Sequence, residues 1–368
     1  MLRSLKPPRA SVPNLVIAQR VLDKMKAASK HYVDAETGEA MIGLVVSGDR
    51  TNGVPTLYVL DTISPDESAI RQIHTFQQGD ELQYELFDWL NRNWEHAREQ
   101  GDTGAGKLQA KWDVPLRHLG DWHKQPGFMI EPSSGDLMTA LDMLADPENN
   151  FDFLLAPIVT LGHTSGGETN SAVNYLSVPC EDGTSMRADF WYIDLNTRGF
   201  QPIVPVVYPN DQLPSLAAYP WHLVNESRMQ DEYQRMQDDA LFTTVVLWEA
   251  NDTPPLEVCF MTARMGADRI LILCTPWNYP EQGPSARIAP FIQMGADDDM
   301  FEVFERLWEK SEPLTDPEGW EWSAERTLLE YIHALEAAHG LRKDSPTPTE
   351  TADIPAEDAA TVNEEEEV

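Results

Sequence analysis

The sequence predicts a mixed α/β (α+β) protein: a mixed sheet flanked by helices, followed by a smaller α+β domain. Three observations predict it. A chain of 368 residues exceeds the roughly 250–300 at which single cores stop growing, so two domains are expected. Apolar residues recur at helical and at strand periods in alternation along the chain. At Tyr208-Pro209-Asn210-Asp211 the strand pattern gives way to proline and polar residues, which marks a boundary. The expected division is therefore 10–208, 209–339 and a tail, 340–368.

Leu15, Val16, Ala18, Val21, Leu22 and Met25 fall close to the helical period and predict an opening helix over 12–29. Strands over 40–47 and 56–63 follow, joined through Gly53-Val54-Pro55 as a hairpin. Leu82, Leu86, Trp89, Leu90 and Trp94 predict a long helix over 80–100, ended by Gly101. A strand over 115–123 and a helix over 136–144 come next, then strands over 151–161 and 188–207 with a polar loop, 162–169, between them. Past the boundary the pattern predicts a helix over 226–238 and strands over 241–249, 256–263 and 269–275. Helices over 299–310 and 324–338 close the second domain. From Lys343 to Glu364-Glu365-Glu366-Glu367 the chain is rich in Pro, Thr, Glu and Asp, and an acidic disordered tail is expected.

The charge is lopsided: 27 Lys and Arg against 61 Asp and Glu leave −34. The stretch 341–368 holds nine acidic and two basic residues, so −27 belongs to the rest of the chain. Such a polyanion repels phosphate backbones, which argues against a nucleic-acid partner. Cys180, Cys259 and Cys274 form no close sequence pairing, and three is odd, which argues against a disulfide framework. With no signal-like apolar run near the N-terminus and no uncharged stretch of bilayer length, a cytoplasmic protein without a membrane partner is expected.

Gly101-Asp102-Thr103-Gly104-Ala105-Gly106-Lys107-Leu108 nearly matches a phosphate loop. Leu108 cannot hold magnesium, and the glycines follow a helix where the motif needs a strand, so a connecting loop is expected instead.

The stretch Gly120-Asp121-Trp122-His123-Lys124-Gln125-Pro126, followed by Pro132-Ser133-Ser134-Gly135-Asp136, carries the chemistry. His123 ends a strand, Gln125 points to the same side two residues on, and Asp136 opens a helix. Upstream, Glu36 precedes a strand that can run beside the first. Taken singly, a strand histidine is a structural residue, and Asp136 or Ser133 caps a helix. Taken together, they place three ligand-capable side chains and a carboxylate at one point.

This constellation resembles the JAB/MPN family with its JAMM metalloprotease motif, zinc-dependent isopeptidases that remove ubiquitin or ubiquitin-like proteins. In the family, a Glu precedes His-x-His-Pro, and seven residues then separate the second His from Ser-x-x-Asp. Residues 126–132 make the seven, and the upstream Glu-x-x-Gly-x-x-x-Gly pattern falls on Glu36 and Gly43, with Glu39 at the first glycine. The resemblance covers about the first 200 residues. It implies zinc as the cofactor, His123 and Asp136 as ligands, Glu36 as general base, and Ser133 steadying the tetrahedral intermediate. Three protein ligands leave one tetrahedral position open.

One departure divides the functional readings. Gln125 stands where the motif has its second zinc-binding His, and a neutral amide oxygen is a weaker donor than imidazole. His118 is expected to be no substitute, since five residues from His123 along one strand puts it on the opposite face. His163 lies in a later segment that the sequence does not place.

In the second domain, the run from Arg269 through Tyr279-Pro280-Glu281-Gln282-Gly283-Pro284 resembles the strand and Tyr-Pro-x-x-x-Pro turn of ubiquitin-conjugating and RWD folds. The helix around Tyr233 and a Trp322-led helix agree with that resemblance. No cysteine lies between Gly283 and Trp322, so no thioester chemistry is implied; Cys259 and Cys274 read as core residues. Two functions follow as expectations. The first is a JAMM-like, deubiquitinase-like isopeptidase acting on a ubiquitin-like conjugate. The second is a catalytically inactive JAB/MPN-like scaffold that binds a ubiquitin-like protein.

Overall fold

A computed structural model of the chain describes residues 12–50, 53–79, 81–99, 111–149, 151–164, 173–250, 257–292 and 298–341. The phosphate-loop-like stretch and the acidic tail lie outside these residues. The fold is mixed α/β, and the chain divides into two compact units: Met1–Met229 with Leu247–Val258, and Gln230–Val246 with Cys259–Val368. No described helix is long and apolar enough to cross a membrane.

The first unit opens with β1 (Asn14–Ala18), α1 (Gln19–His31), β2 (Gly38–Val46), β3 (Thr56–Ile63) and the small hairpin β4 (Ile70–Gln72) and β5 (Thr75–Gln77). Helix α2 (Glu81–Glu99), β6 (Leu116–Lys124) and α3 (Ser134–Ala145) follow. Strands β7 (Phe153–Leu155), β8 (Ile158–Thr164), β9 (Tyr175–Pro179), β10 (Thr184–Asp189), β11 (Trp191–Asp194), β12 (Gln201–Pro202) and β13 (Pro205–Tyr208) lead to the short α4 (Trp221–Val224). One sheet runs β12-β11-β7-β6-β2-β3-β1-β13, with β8 beside β6 and β10 between β8 and β9. Strand β1 is parallel to β3 and β13, and β6 is parallel to β7 and β8.

Three expectations need correction here. The opening helix begins only at Gln19, because Leu15, Val16, Ile17 and Ala18 are buried without interruption and form a central parallel strand. The strand over 151–161 is two strands: Pro157 has no N–H for the ladder, and the chain jogs there. The strand over 188–207 is likewise divided, partly because Asp194 Oδ1 accepts from the N–H groups of Asn196 and Thr197 and turns the chain.

The C-terminal part supplies α5 (Glu226–Asp238), β14 (Leu241–Trp248), β15 (Glu257–Arg264), β16 (Arg269–Thr275), β17 (Ser285–Pro290), α6 (Met300–Lys310), β18 (Glu312–Leu314) and α7 (Leu328–His339). Its sheet runs in sequence order from β14 to β18. Buried Glu232 accepts hydrogen bonds from Tyr279 Oη and from Leu328 N, so one carboxylate ties α5 to the Tyr279-Pro280 turn and to the start of α7. Helix α7 starts at a Thr327 cap, not at 324; Trp322 precedes it and donates to Pro280 O at 2.7 Å. Cys259 and Cys274 are buried thiols with their sulfurs 3.2 Å apart.

Candidate active site

The sheet register brings the dispersed residues together. Strands β2 and β6 are antiparallel with Gly38 opposite His123, and Lys124 N donates to Thr37 O at 2.7 Å. Glu36, just ahead of β2, therefore comes level with the end of β6. On the other flank, His123 N and Gln125 N donate to Pro157 O and Val159 O at 3.1 and 2.9 Å. Lys124 reaches the opposite way: its Nζ donates to Tyr32 O, and to Val33 O at 2.7 Å, pinning the segment that carries Glu36.

Helix α3 supplies the other wall through a capping box. Ser133 Oγ accepts from Asp136 N at 3.2 Å, while Asp136 Oδ2 accepts from Ser133 N at 2.6 Å. The same carboxylate faces β6. Asp136 Oδ1 is 3.6 Å from His123 Nε2, Asp136 Oδ2 accepts from Gln125 Nε2 at 3.3 Å, and Gln125 Nε2 is 3.2 Å from His123 Nε2. For Gln125 to donate to it, the His123 ring carries its proton on Nδ1. Burial lowers the His123 pKa against the pull of Asp136 and Asp121, which favours the neutral ring.

Glu36 is the most perturbed carboxyl in this group. Burial first, and the charge of Asp136 second, push its pKa up to about 7, with Lys124 opposing. Glu36, His123, Gln125, Ser133 and Asp136 line a cleft of about 1630 Å³, of which Phe76, Met129 and Phe151 form apolar walls.

Two further residues enter the cleft unannounced by the strand pattern. The β2–β6 register shifts between Met41 and Ile42, so that Gly120 faces Met41 and His118 faces Ile42. This bulge adds one residue to β6 and inverts the face parity. His118 consequently lines the same cleft as His123, against the expectation of opposite faces, and its Nε2 is 2.9 Å from Asp121 Oδ1. Burial works against both charges, but each partner outweighs it: His118 is held above its ordinary pKa and Asp121 below. Gly120 at φ 127° makes the bulge possible, and a Cβ there would lie 2.0 Å from Leu155 O on β7. A glycine inside a strand pattern was the available signal. His163 sits elsewhere on β8, with its Nε2 2.7 Å from Thr160 Oγ1 and its ring against Phe128.

Among the described residues no three His, Cys, Asp or Glu side chains converge on a metal-sized point. The third corner of this triangle is the Gln125 amide. Tetrahedral ligands bound at about 2.0–2.1 Å stand about 3.3 Å apart; the separations here are of that order, with Asp136 meeting His123 through Oδ1 and Gln125 through Oδ2. Gln125 Oε1 is buried with no hydrogen-bond partner. Turning the amide by half a rotation leaves its volume unchanged and brings that oxygen to the shared corner. His123, Asp136 and Gln125 so arranged fit a divalent cation, with the amide as the weakest donor.

No family model matches the chain, and comparison with curated proteins finds no match. Among solved structures, a protein of Desulfitobacterium hafniense with a known solution structure is similar over 53% of this chain and 93% of its own, at 13% identity and a TM-score of 0.29. That likeness is too slight to bear on function.

Proposed function

We propose that the first unit is a JAMM-like, zinc-dependent isopeptidase that cleaves a ubiquitin-like conjugate. The observation that carries this reading is the meeting of Glu36, His123 and Asp136 in one cleft, from three separate parts of the chain. A zinc ion held by His123, Asp136 and the Gln125 amide oxygen would acidify water and polarise the scissile carbonyl. Glu36, titrating near neutrality, is suited to take a proton from water and return it to the departing lysine amine. The Ser133 oxygen is engaged as an acceptor from Asp136 N, which leaves its hydroxyl proton to steady a developing oxyanion. The second unit would hold the ubiquitin-like partner; the Tyr279-Pro280 turn and the lack of a cysteine between residues 283 and 322 support a binding role.

Metal analysis of zinc-repleted protein should give about one zinc per chain. Glu36→Gln should then abolish cleavage of an isopeptide-linked substrate with zinc retained, and cleavage by that variant would refute the assigned base. A second reading, the inactive scaffold, draws on a specific observation: the Gln125 amide nitrogen donates to Asp136 and faces His123 at the corner where a cation would bind. Zinc well below one per chain, restored by Gln125→His, would favour the scaffold.

A further inference from the structure

Two buried nucleophiles of the second unit have no part in the proposed site. Cys259 lies on β15 and Cys274 on the neighbouring strand β16. The turn between these strands closes with Ala267 N donating to Arg264 O at 3.0 Å. Each cysteine stands five residues from the hairpin end, Cys259 ahead of Arg264 and Cys274 after Arg269. Counted along an antiparallel pair, the two residues are opposite each other. The side chains agree with the count, since Cys259 Sγ donates to Cys274 Sγ at 3.2 Å.

A covalent bond between them needs little movement. Neighbouring strands stand about 4.8 Å apart, inside the Cα separation that a disulfide spans. Bonded sulfurs sit about 2.0 Å apart, so closure requires roughly 1 Å of approach, shared between the two side chains. Burial then sets which chemistry is open to the pair. Cys259 is 0% and Cys274 2% exposed, which shuts out a thiol as large as glutathione. A small hydroperoxide that follows a local opening of the strands meets Cys274 first, and a sulfur oxidised there already has Cys259 in contact.

We propose that Cys259 and Cys274 form a reversible thiol–disulfide couple, closed by a hydroperoxide and reopened by a dithiol. With hydrogen peroxide, the Cys274 sulfur attacks one oxygen: an S–O bond forms, the O–O bond breaks, and the departing hydroxide leaves as water with the thiol proton. The Cys259 sulfur next attacks the sulfenyl sulfur: the S–S bond forms, the S–O bond breaks, and a second water carries off the Cys259 proton. Two thiols have lost two electrons and two protons, and the peroxide has become two waters. Capture by Cys259 halts oxidation before the sulfinic acid. A dithiol, itself oxidised to a cyclic disulfide, returns both thiols. The couple belongs to the second unit alone and stands whether or not the first unit binds zinc.

Peptide mapping of the full-length protein tests it. Reduced protein, freed of reductant, is treated with hydrogen peroxide under native conditions, unfolded in guanidinium with N-ethylmaleimide, digested with trypsin without reductant and read by mass spectrometry. Peptides 236–264 and 270–287 each carry one of the two cysteines and should be recovered joined, two hydrogens lighter than their sum. Dithiothreitol before alkylation should return both as maleimide adducts. Protein oxidised while unfolded should instead spread its cross-links over all pairings of Cys180, Cys259 and Cys274. In Cys259→Ala the sulfenic acid on Cys274 loses its captor, and dimedone labelling of peptide 270–287 should rise at least about tenfold over the parent. The parent map does not depend on how that variant folds. Both cysteines recovered as maleimide adducts after peroxide, both as separate sulfinic acids, or native cross-links through Cys180 as frequent as those between Cys259 and Cys274, would overturn the proposal.

Discussion

Glu36→Gln should stabilise the protein at alkaline pH, although it removes the proposed base. In the folded chain, burial and the neighbouring Asp136 raise the carboxyl to about 7, whereas an unfolded glutamate titrates near its ordinary value. A raised folded pKa means that the folded state holds the proton more tightly. Its contribution is therefore intact in acid and is lost as pH rises through the folded value. A shift from 4.5 to about 7 corresponds to about 3 kcal/mol, and partial access of solvent to the cleft trims this to about 2 kcal/mol. At pH 4, below the unfolded value of 4.5, Glu36 is neutral in the folded chain and mostly so in the unfolded one, and the variant and the parent should be nearly equally stable. At pH 8 the variant should gain about 2 kcal/mol. Urea denaturation followed by tryptophan fluorescence, in chelator so that no metal ion contributes, reads the difference directly. A stability gap that is the same at both pH values, or a variant less stable at pH 8, would refute the account of Glu36 as a destabilised carboxylate.

Three further outcomes are expected. Gly120→Ala forces a Cβ to within 2.0 Å of Leu155 O at φ 127°, and should cost about 3–4 kcal/mol in urea denaturation; a loss under about 1 kcal/mol would mean that the bulge is not anchored there. Ser133→Ala removes half of the α3 capping box and should lower stability by about 1 kcal/mol in the same assay. His222, whose pKa burial depresses to about 4, is held neutral between Trp89 and Trp221; between pH 6.5 and 4 the unfolded chain gains the proton first. The His222 contribution should therefore fall by up to about 3 kcal/mol across that window, opposite in sign to that of Glu36, and should be read as the difference between the parent and His222→Phe profiles.

Much of the framework was legible in the order of residues, because local periodicity and proline or glycine signals act within a few residues. Strand β3, helix α5 and strand β16 fall where the pattern places them, α2 is one residue shorter at each end, and α6 starts one residue later. The residues that share the cleft were also legible as a group, since the spacing from Glu36 through His123 to Asp136 can be counted without coordinates. Where the reading failed, a distant partner had intervened. Leu15 to Ala18 look helical in isolation, but they are buried and backbone ladders to β3 and β13 on either edge hold them extended.

His118 shows the same limit at the site. Counting residues assumes an unbroken pleat, and a single bulge at Gly120 reverses which face each side chain upstream of it occupies. At that bulge Leu155 on a neighbouring strand approaches the backbone of residue 120 too closely for any side chain, so only glycine fits. The perturbation of Glu36 is equally nonlocal, since burial and the charge of Asp136, 100 residues further along the chain, set it. Composition and spacing determined which groups the protein owns and their rough neighbourhoods. Strand register and close packing decided which of them share a cleft and in what protonation state, because hydrogen-bond pairing and desolvation are properties of the assembled sheet.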